Sequence, residues 1–479
     1  MKLNTVLINN LLEPFQTAIP DPDWSFAECT TRQTTALTHG YHKYPAKFIP
    51  PLAAKLIEEY TLPGDLVCDP FMGSGTTLVE AMIRGRRAAG VDINPISWVI
   101  ARAKTTPIRP DKLQESLDSL FFNLPVDDSG VLISPLLGNV PRIEHERVDY
   151  WFTEPNRSEL EVVLFLINQE PDENIRIFLW CGLSNVLKNC SRWLMRSSKP
   201  TVDPNKKIPP LIPTLRKHLT YMEKRNRLLY ETMQKLETVP CVNVCLGDAR
   251  DLPVLKNSVD LIVTSPPYVT SYEYADLHQL GNIVLGFTSD LRELRKKFIG
   301  SIQAELSNEP LLSEIAINTV EKLIQADTAE GRGALAYFQA MQQCIQEMYA
   351  KLRPGGRACI VIGNTALRKV PIPNAEIFAE MGLNIGFKFD RLIKREIPSK
   401  ILPQTRDPVT GKFASADKAR ALAYPEEYIV VLRKGSSGGQ RNCHNGPQPG
   451  SGSAQRDLQR EIISGSQDKP NGNKRMVGA

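Results

Sequence analysis

The spacing of apolar positions along the first part of the chain changes period in a regular way. Residues 1–38 are polar and irregular and read as an N-terminal extension. From Tyr44 to Tyr60 the spacing is helical, entered through Pro50-Pro51 and ended before Pro63-Gly64. LVCDP (66–70) is a short apolar run that stops at a glycine-rich turn, the pattern of a buried strand. TTLVEAMIRG (76–85) predicts a helix closed by Gly85, RAAGVDIN (87–94) a second strand and ISWVIARAK (96–104) a second helix. Strand and helix alternating through short links predict a parallel, doubly wound α/β sheet.

Residues 105–238 interrupt that alternation. They combine Pro-rich links with long helical patterns, notably ELEVVLFLINQ, IRIFLWCGLSNVLKNCSRWL and TLRKHLTYMEKRNRLLYETMQKLE, and predict an inserted helical module. The α/β pattern resumes over 239–434. CVNVCLGDA (241–249) and VDLIVTSPPY (259–268) read as strands with functional ends, and helical sequence runs on to about 352. RACIVIGN (357–364) reads as a strand after the turn Arg353-Pro354-Gly355-Gly356, and YIVVLRK (428–434) as the last strand. The catalytic unit is thus expected in two halves, 39–104 and 239–434, around the insert at 105–238. From Gly435 to the end the composition is Gly, Ser, Asn, Gln and Pro, too polar to order itself.

Charge sharpens this division. The net charge of the 479 residues is only +5, but residues 188–227 hold eleven Lys and Arg against Asp203 and Glu223, a net of +9. A solvated helix face interleaves both signs, whereas acids so sparse mark a site for a polyanion. The nine cysteines are scattered, with no C-x-x-C pair, which points to reduced core residues in a cytoplasmic protein rather than to zinc or disulfides. No apolar stretch reaches the length of a membrane span, and the N-terminus has no small-residue cleavage site, so neither membrane nor secretion is expected.

Two motifs carry the chemistry. Asp69-Pro70-Phe71-Met72-Gly73-Ser74-Gly75-Thr76-Thr77 sits at a strand-to-helix junction, where glycines permit close backbone approach and the opening helix offers free N–H groups. Asp92 ends the next strand, 19 residues after Gly73, the distance at which a carboxylate grips ribose hydroxyls in nucleotide-binding α/β folds. No Lys follows the glycines, which disfavours a P-loop. The second motif, Thr264-Ser265-Pro266-Pro267-Tyr268, ends an apolar strand. Its prolines carry no N–H, so carbonyls and the Ser265 hydroxyl are left as acceptors beside an aromatic face. Acceptors that bind the hydrogens of an amine turn its lone pair towards a methyl donor, and the aromatic face holds a flipped base.

DPFMGSGTT with TSPPY resembles the amino-methyltransferases of DNA, and TSPPY resembles their cytosine-N4 branch. Adenine-specific members more often carry Asp or Asn before Pro-Pro-Tyr. Tyr44-Pro45-Ala46-Lys47-Phe48 and Gly247-Asp248-Ala249 extend the resemblance, which covers roughly 39–104 and 241–434. It implies a class I S-adenosylmethionine-dependent methyltransferase fold, Rossmann-like and mostly parallel, with a helical insertion. It also implies direct in-line methyl transfer from S-adenosylmethionine to the N4 amine of cytosine in double-stranded DNA. On this resemblance Asp69, Pro70, Phe71, Gly73, Gly75, Thr76 and Asn94 would surround the cofactor. Asp92 would hold its ribose, Asp248 beside Ala249 its adenine, and Tyr44, Lys47 and Phe48 its methionine end. Ser265, Pro266, Pro267 and Tyr268 would form the catalytic pocket, with no metal. Carbon-5 enzymes need a Pro-Cys nucleophile, and Pro-Cys occurs here only as Pro240-Cys241, ahead of a strand. The alternatives are adenine-N6 methylation, methylation of RNA or protein amides by the same fold, and a non-catalytic nucleic-acid-binding relic. Ser265 argues against the second, and intact motifs argue against the third.

The family's usual orders do not place a target-recognition segment between the second strand and Gly247-Asp248, so assigning DNA to the insert rests on charge and position. Arg192, Arg196, Lys199, Lys206 and Lys207 are the candidates there. A competing group, Lys394, Arg395, Lys400 and Arg406, falls in REIPSKILPQTRDPVTGKF (395–413) and its border, which reads as a loop. His39 and His42, flanking Tyr41, read first as packing residues. A cognate restriction endonuclease is a possible companion that need not bind the chain, and the oligomeric expectation is monomer or homodimer.

Overall fold

The computed structural model describes residues 5–45, 47–126, 132, 140–197, 199–269, 274–301, 306–397, 405–406, 421–422 and 426–436. Short runs of β-branched and small apolar residues, bounded by glycine or proline, form a central sheet of seven strands. They are β1 (Leu66–Asp69), β2 (Arg87–Asp92), β3 (Val242–Leu246), β4 (Val259–Thr264), β5 (Leu352–Ile362), β6 (Phe387–Glu396) and β7 (Glu426–Lys434). The strand order is β3-β2-β1-β4-β5-β7-β6. Strands β1 to β5 are parallel, and β7 runs antiparallel to both of its neighbours. The chain winds outwards from β1 to β3, then returns to the other side of β1 with β4. That reversal opens a crevice beyond the C-terminal ends of β1 and β4, where open α/β sheets hold ligands.

Alternation along the strands feeds two cores. Cys359 and Val361 of β5 with Ile429 and Val431 of β7 face one way. Ala358, Ile360 and Ile362 with Val430 and Leu432 face the other. Helices α2 (Pro50–Tyr60), α3 (Thr76–Met82) and α4 (Pro95–Thr105) cover the first face. The segment between β2 and β3 contributes α5 (Pro110–Phe122), α6 (Glu146–Trp151), α7 (Glu154–Asn168), α8 (Glu173–Leu187) and α9 (Leu211–Gln234). Leu160, Phe178, Leu183, Leu215 and Leu219 of these helices join Leu52, Leu56, Val99, Ile100 and Leu261 in one continuous core. Helix α8 lies so close to α9 that a Cβ on Gly182 would fall 2.4 Å from Leu219 Cδ2. The other face is covered by α12 (Glu314–Ala326), α13 (Thr328–Lys351) and α14 (Asn374–Ile385). Between β4 and α12 lie α10 (Gln279–Val284) and α11 (Leu291–Lys296). No helix of the described residues is long and apolar enough to cross a membrane.

Three local expectations change. The N-terminal stretch read as irregular holds α1 (Thr5–Thr17), which buries Leu11 and Phe15, the latter 5.8 Å from the ring of Tyr428. Arg353-Pro354-Gly355-Gly356 is no turn ahead of β5. It lies inside the strand as an irregularity, with Gly355 at φ +81° where the pairing of β4 with β5 slips. Residues 395 and 396, expected to open a loop, instead end β6, a strand the sequence pattern did not announce. Lys394 and Arg395 lie in β6 and pair with Glu426 and Glu427 of β7. Residues 405–406 pair antiparallel with 421–422, and Lys400 lies outside the described residues.

Arg395 is 3% exposed, over the ring of Phe26, with Glu427 as its only anionic partner among the described residues. Removing one member of a buried ion pair strands the other charge and costs about 3–5 kcal/mol, whereas replacing both by apolar groups is often neutral. Glu427→Ala is expected to lower unfolding stability by that amount in urea titration. The pair Arg395→Met with Glu427→Leu is expected to recover most of it.

Candidate active site

The glycine-rich turn is shaped by backbone demands that the residues meet in different ways. The Met72 N–H donates to Val91 O (3.0 Å), tying the turn to β2, and the Gly75 N–H closes it onto Met72 O (2.7 Å). Gly73 and Gly75 adopt φ of +47° and +75°, the left-handed region that glycine enters without cost. Close approach to a ligand is not the immediate constraint at either. A Cβ at Gly75 would sit 3.0 Å from the Cβ of Ala101 in α4, and one at Gly73 would sit 3.2 Å from the ring of Tyr44. The glycines let α3, α4 and Tyr44 close around the turn.

Two carboxylates organise the crevice. Asp92 Oδ2 accepts from the Gly73 N–H (2.9 Å) and Oδ1 from the Asn94 N–H (2.9 Å), so one side chain fixes the turn after β1 to the end of β2. Asp69 Oδ1 accepts from the Thr264 hydroxyl (2.6 Å) and the Phe71 N–H (3.1 Å), which locks the end of β1 to the end of β4. Burial pushes both carboxyls up to about 6 despite these donors. Asn94 is spent elsewhere. It is fully buried, caps α4 through Ile96 N–H (3.2 Å) and accepts from Asn282 (3.2 Å).

Ser265-Pro266-Pro267-Tyr268 leaves β4 directly into the crevice. Ser265 and Pro267 face it, while Pro266 is buried behind. The turn is bolted by two tyrosine hydroxyls. Tyr337, wholly buried in α13, donates to Pro267 O (2.7 Å), and Tyr268 accepts from the Gly363 N–H at the end of β5 (3.1 Å). A Cβ on Gly363 would press against that Tyr268 hydroxyl at 3.2 Å. Sequence reasoning had no signal for Tyr337, because an aromatic residue in a 24-residue helix reads as core.

One cleft joins these parts. Asp69, Pro70, Phe71, Gly73, Thr76 and Asp92 form its floor, and Tyr44, Lys47 and Phe48 one wall. Asp248, Ala249, Ser265 and Pro267 line it as well. Of the expected residues, Gly75, Asn94, Pro266 and Tyr268 stand outside the lining. Lys297, Phe298 and Ile299, just past α11, line it and were not anticipated. Tyr44 is held by a hydrogen bond to Ser97 (2.9 Å) and stacks on His278 at 4.8 Å. The Lys47 ammonium donates to His39 O (3.3 Å), and burial pulls it down to about 8. Burial would raise the Asp248 carboxyl, but the Arg250 guanidinium at 2.6 Å holds it below the ordinary value. His39, beside this wall, shares a hydrogen bond with Glu80 at 2.6 Å, a packing role.

The cations expected to meet DNA divide by their partners. Arg192, Arg196, Lys199 and Lys207 are exposed. Lys206 is not available in the same way: its ammonium donates to Lys188 O and Trp193 O, both at 2.8 Å. Lys394 and Arg395 are paired with glutamates as described above.

The cleft fits S-adenosylmethionine. It combines a carboxylate at the end of β2, aromatic walls and an ammonium, and it presents the buried hydroxyls of Ser74 and Thr76 with no partner among the described residues. Sheet order and site together define a class I S-adenosylmethionine-dependent methyltransferase. The DNA methylase family model matches residues 13–100 and 259–475, more than half of the chain, and the chain belongs to that family of N6/N4 methyltransferases. It is similar to the type II methyltransferase M.MvaI of Kocuria varians, with 27% identity over 84% of this chain and 92% of that one. It is also similar to M.BsoBI of Geobacillus stearothermophilus (25%, 73% and 78%) and M.MjaII of Methanocaldococcus jannaschii (24%, 60% and 72%).

Tyr337→Phe keeps the ring in α13 and strips the Pro267 carbonyl of its donor. An unsatisfied buried acceptor costs about 1–3 kcal/mol. Thermal unfolding should register that loss, and steady-state methylation should show a lower kcat at an unchanged KM for S-adenosylmethionine. Unchanged values in both assays would mean that water replaces the hydroxyl.

Proposed function

We propose that the protein methylates the exocyclic N4 amine of cytosine at a specific site in double-stranded DNA. The observation that carries this reading is Ser265, set before two prolines at the end of β4 and facing the same cleft as Asp69 and Asp92. S-adenosylmethionine, when bound, supplies an electrophilic methyl group. Asp92 holds the ribose hydroxyls, Asp248 the adenine end, and Lys47 with the Ser74 and Thr76 hydroxyls the methionine end. The Ser265 hydroxyl and a prolyl carbonyl accept the two amine hydrogens of the flipped base. That pulls the nitrogen towards sp³ geometry and aims its lone pair along the line of attack. The Tyr268 hydroxyl stays on the Gly363 N–H, which fixes the turn that carries these acceptors. The amine proton departs after transfer through the Ser265 acceptor to solvent.

Serine in place of the Asp or Asn common in adenine-specific relatives supports cytosine as the base. The relatives above are type II methyltransferases by name, which supports a role in marking a site against a cognate endonuclease. The exposed cations Arg192, Arg196, Lys199 and Lys207 supply the phosphate contacts that dominate affinity for DNA.

DNA from cells producing the protein, digested to nucleosides and analysed by mass spectrometry, should contain N4-methylcytosine. N6-methyladenine as the only new base would overturn the choice of base and leave the family untouched. The cofactor role of Asp92 has a pH signature. Its carboxylate is the form that accepts from hydroxyls, and it is lost as pH falls through about 6. Affinity for S-adenosylmethionine, measured by calorimetry, should be level above neutrality and weaken below that point. Asp92→Asn should bind more weakly and retain only the part of the slope that belongs to Asp69.

A further inference from the structure

The exposed cations between α8 and α9 are not spread over a helix face. Arg192 and Asp203, Trp193 and Val202, and Leu194 and Thr201 pair antiparallel through Asp203 N–H to Arg192 O (2.9 Å), an isolated bridge, and Leu194 N–H to Thr201 O (2.8 Å). They form the stem of a short hairpin whose tip carries Met195, Arg196, Ser197 and Lys199. The stem is rigidly seated. Trp193 is 1% exposed and stacks on Trp151 at 5.0 Å. Below it the Lys206 ammonium gathers two carbonyls, and the Lys188 ammonium reaches up to Ser197 O (2.9 Å) at the tip.

This hairpin stands next to the wall of the cleft. Lys188 follows α8 directly, and burial first, then its charge, disfavours protonation of His278, the residue stacked on Tyr44. One turn earlier in α8, Asn185 accepts from the Lys43 N–H (3.0 Å). Residues 43 and 44 are therefore shared between the cleft and the support of the hairpin.

At the tip an apolar side chain is left in water. Met195 is 42% exposed, beside Arg196 and Lys199, on a stem whose one acid is Asp203. A flexible, unbranched apolar group between two phosphate-seeking cations has the chemistry of a wedge, a side chain that enters a base stack while its neighbours hold the backbone. We propose that the hairpin enters the DNA duplex beside the target and that Met195 occupies the space left when the base flips into the cleft, with Arg196 and Lys199 on the flanking phosphates. The proposal rests on the DNA reading above and goes beyond it, because it assigns the flipping step to a named side chain rather than a charged region.

The test uses the full-length protein, S-adenosylmethionine and a duplex carrying the methylated site found by sequencing, with 2-aminopurine directly beside the target base. Wild type should raise the fluorescence as the stacking partner leaves. Met195→Ala should lose most of that rise and slow single-turnover methylation by about tenfold or more, the scale expected when unstacking is no longer compensated, with little change in affinity for DNA. A mismatch at the target, which lowers the cost of flipping, should restore most of the rate to Met195→Ala. Arg196→Gln with Lys199→Gln should instead weaken binding and flatten its salt dependence by about 0.9 for each phosphate no longer neutralised. Normal rate and fluorescence in Met195→Ala, or a defect that the mismatch does not relieve, would overturn the wedge. Failure of wild type to bind or methylate any duplex would instead sink the DNA reading beneath it.

Discussion

The hydrogen bond from the Thr264 hydroxyl to Asp69 Oδ1 is the joint on which the rest of the site depends. It spans β1 and β4, adjacent in space but 195 residues apart in sequence, at the place where strand order reverses. The glycine-rich turn and Asp92 hang from β1 and β2, and the Ser-Pro-Pro-Tyr turn hangs from β4 and is held to the end of β5. The Thr77 hydroxyl on Val263 O (3.1 Å) repeats the tie at the start of α3. A methyl group moves little more than a bond length in an in-line transfer, so donor and acceptor must be set by parts that cannot drift relative to each other. Two short bonds across the switch point meet that requirement without a domain interface.

Several polar groups are buried close to Lys47 and Tyr44. Lys104 at the end of α4 is fully buried, and its amine has no hydrogen-bond partner among the described residues. Burial, with Lys47 nearby, drives it well below the ordinary lysine value. His42 and His278, with ring centroids 6.3 Å apart, are likewise driven down by burial. Lys47, beside these groups, lines the cleft together with Lys297, where an anionic ligand end can use them.

The parts legible in the sequence were those fixed by local chemistry. The glycine-rich turn, Asp92 and Ser-Pro-Pro-Tyr each sit at a strand end, where backbone constraint leaves a residue-level trace, and the structure gathers most of them around one cleft. What escaped was decided by distant partners. Strand β6 exists because β7 pairs with it, since FKFDRLIKRE has little apolar alternation of its own. Helix α1 is held by Phe15, whose ring meets Phe389 of β6 and Tyr428 of β7, with Leu11 buried in the same core. Tyr337 is ordinary helix sequence until its hydroxyl is seen on Pro267. The cleft residues past α11 carry no motif at all.

The same contrast governs charge. Lys394 and Arg395 looked as free in the sequence as Arg196 and Lys199, because a run of cations says nothing about the register that supplies acids. Strand pairing brings Glu426 and Glu427 of β7 against β6, and both basic residues are thereby neutralised within the sheet. Among the described residues no sheet strand passes between α8 and α9 to bring carboxylates, and Asp203 accepts from the Asn205 N–H (3.1 Å) within its own turn. The positive field of that segment is therefore set by topology as well as composition. It survives where the sheet cannot reach it, and that place adjoins the segment carrying Tyr44. If DNA binds as proposed, a polyanion drawn to the surviving charge would arrive beside the segment that carries Tyr44, and the geometry that leaves these cations without acids would shorten the search for the target base.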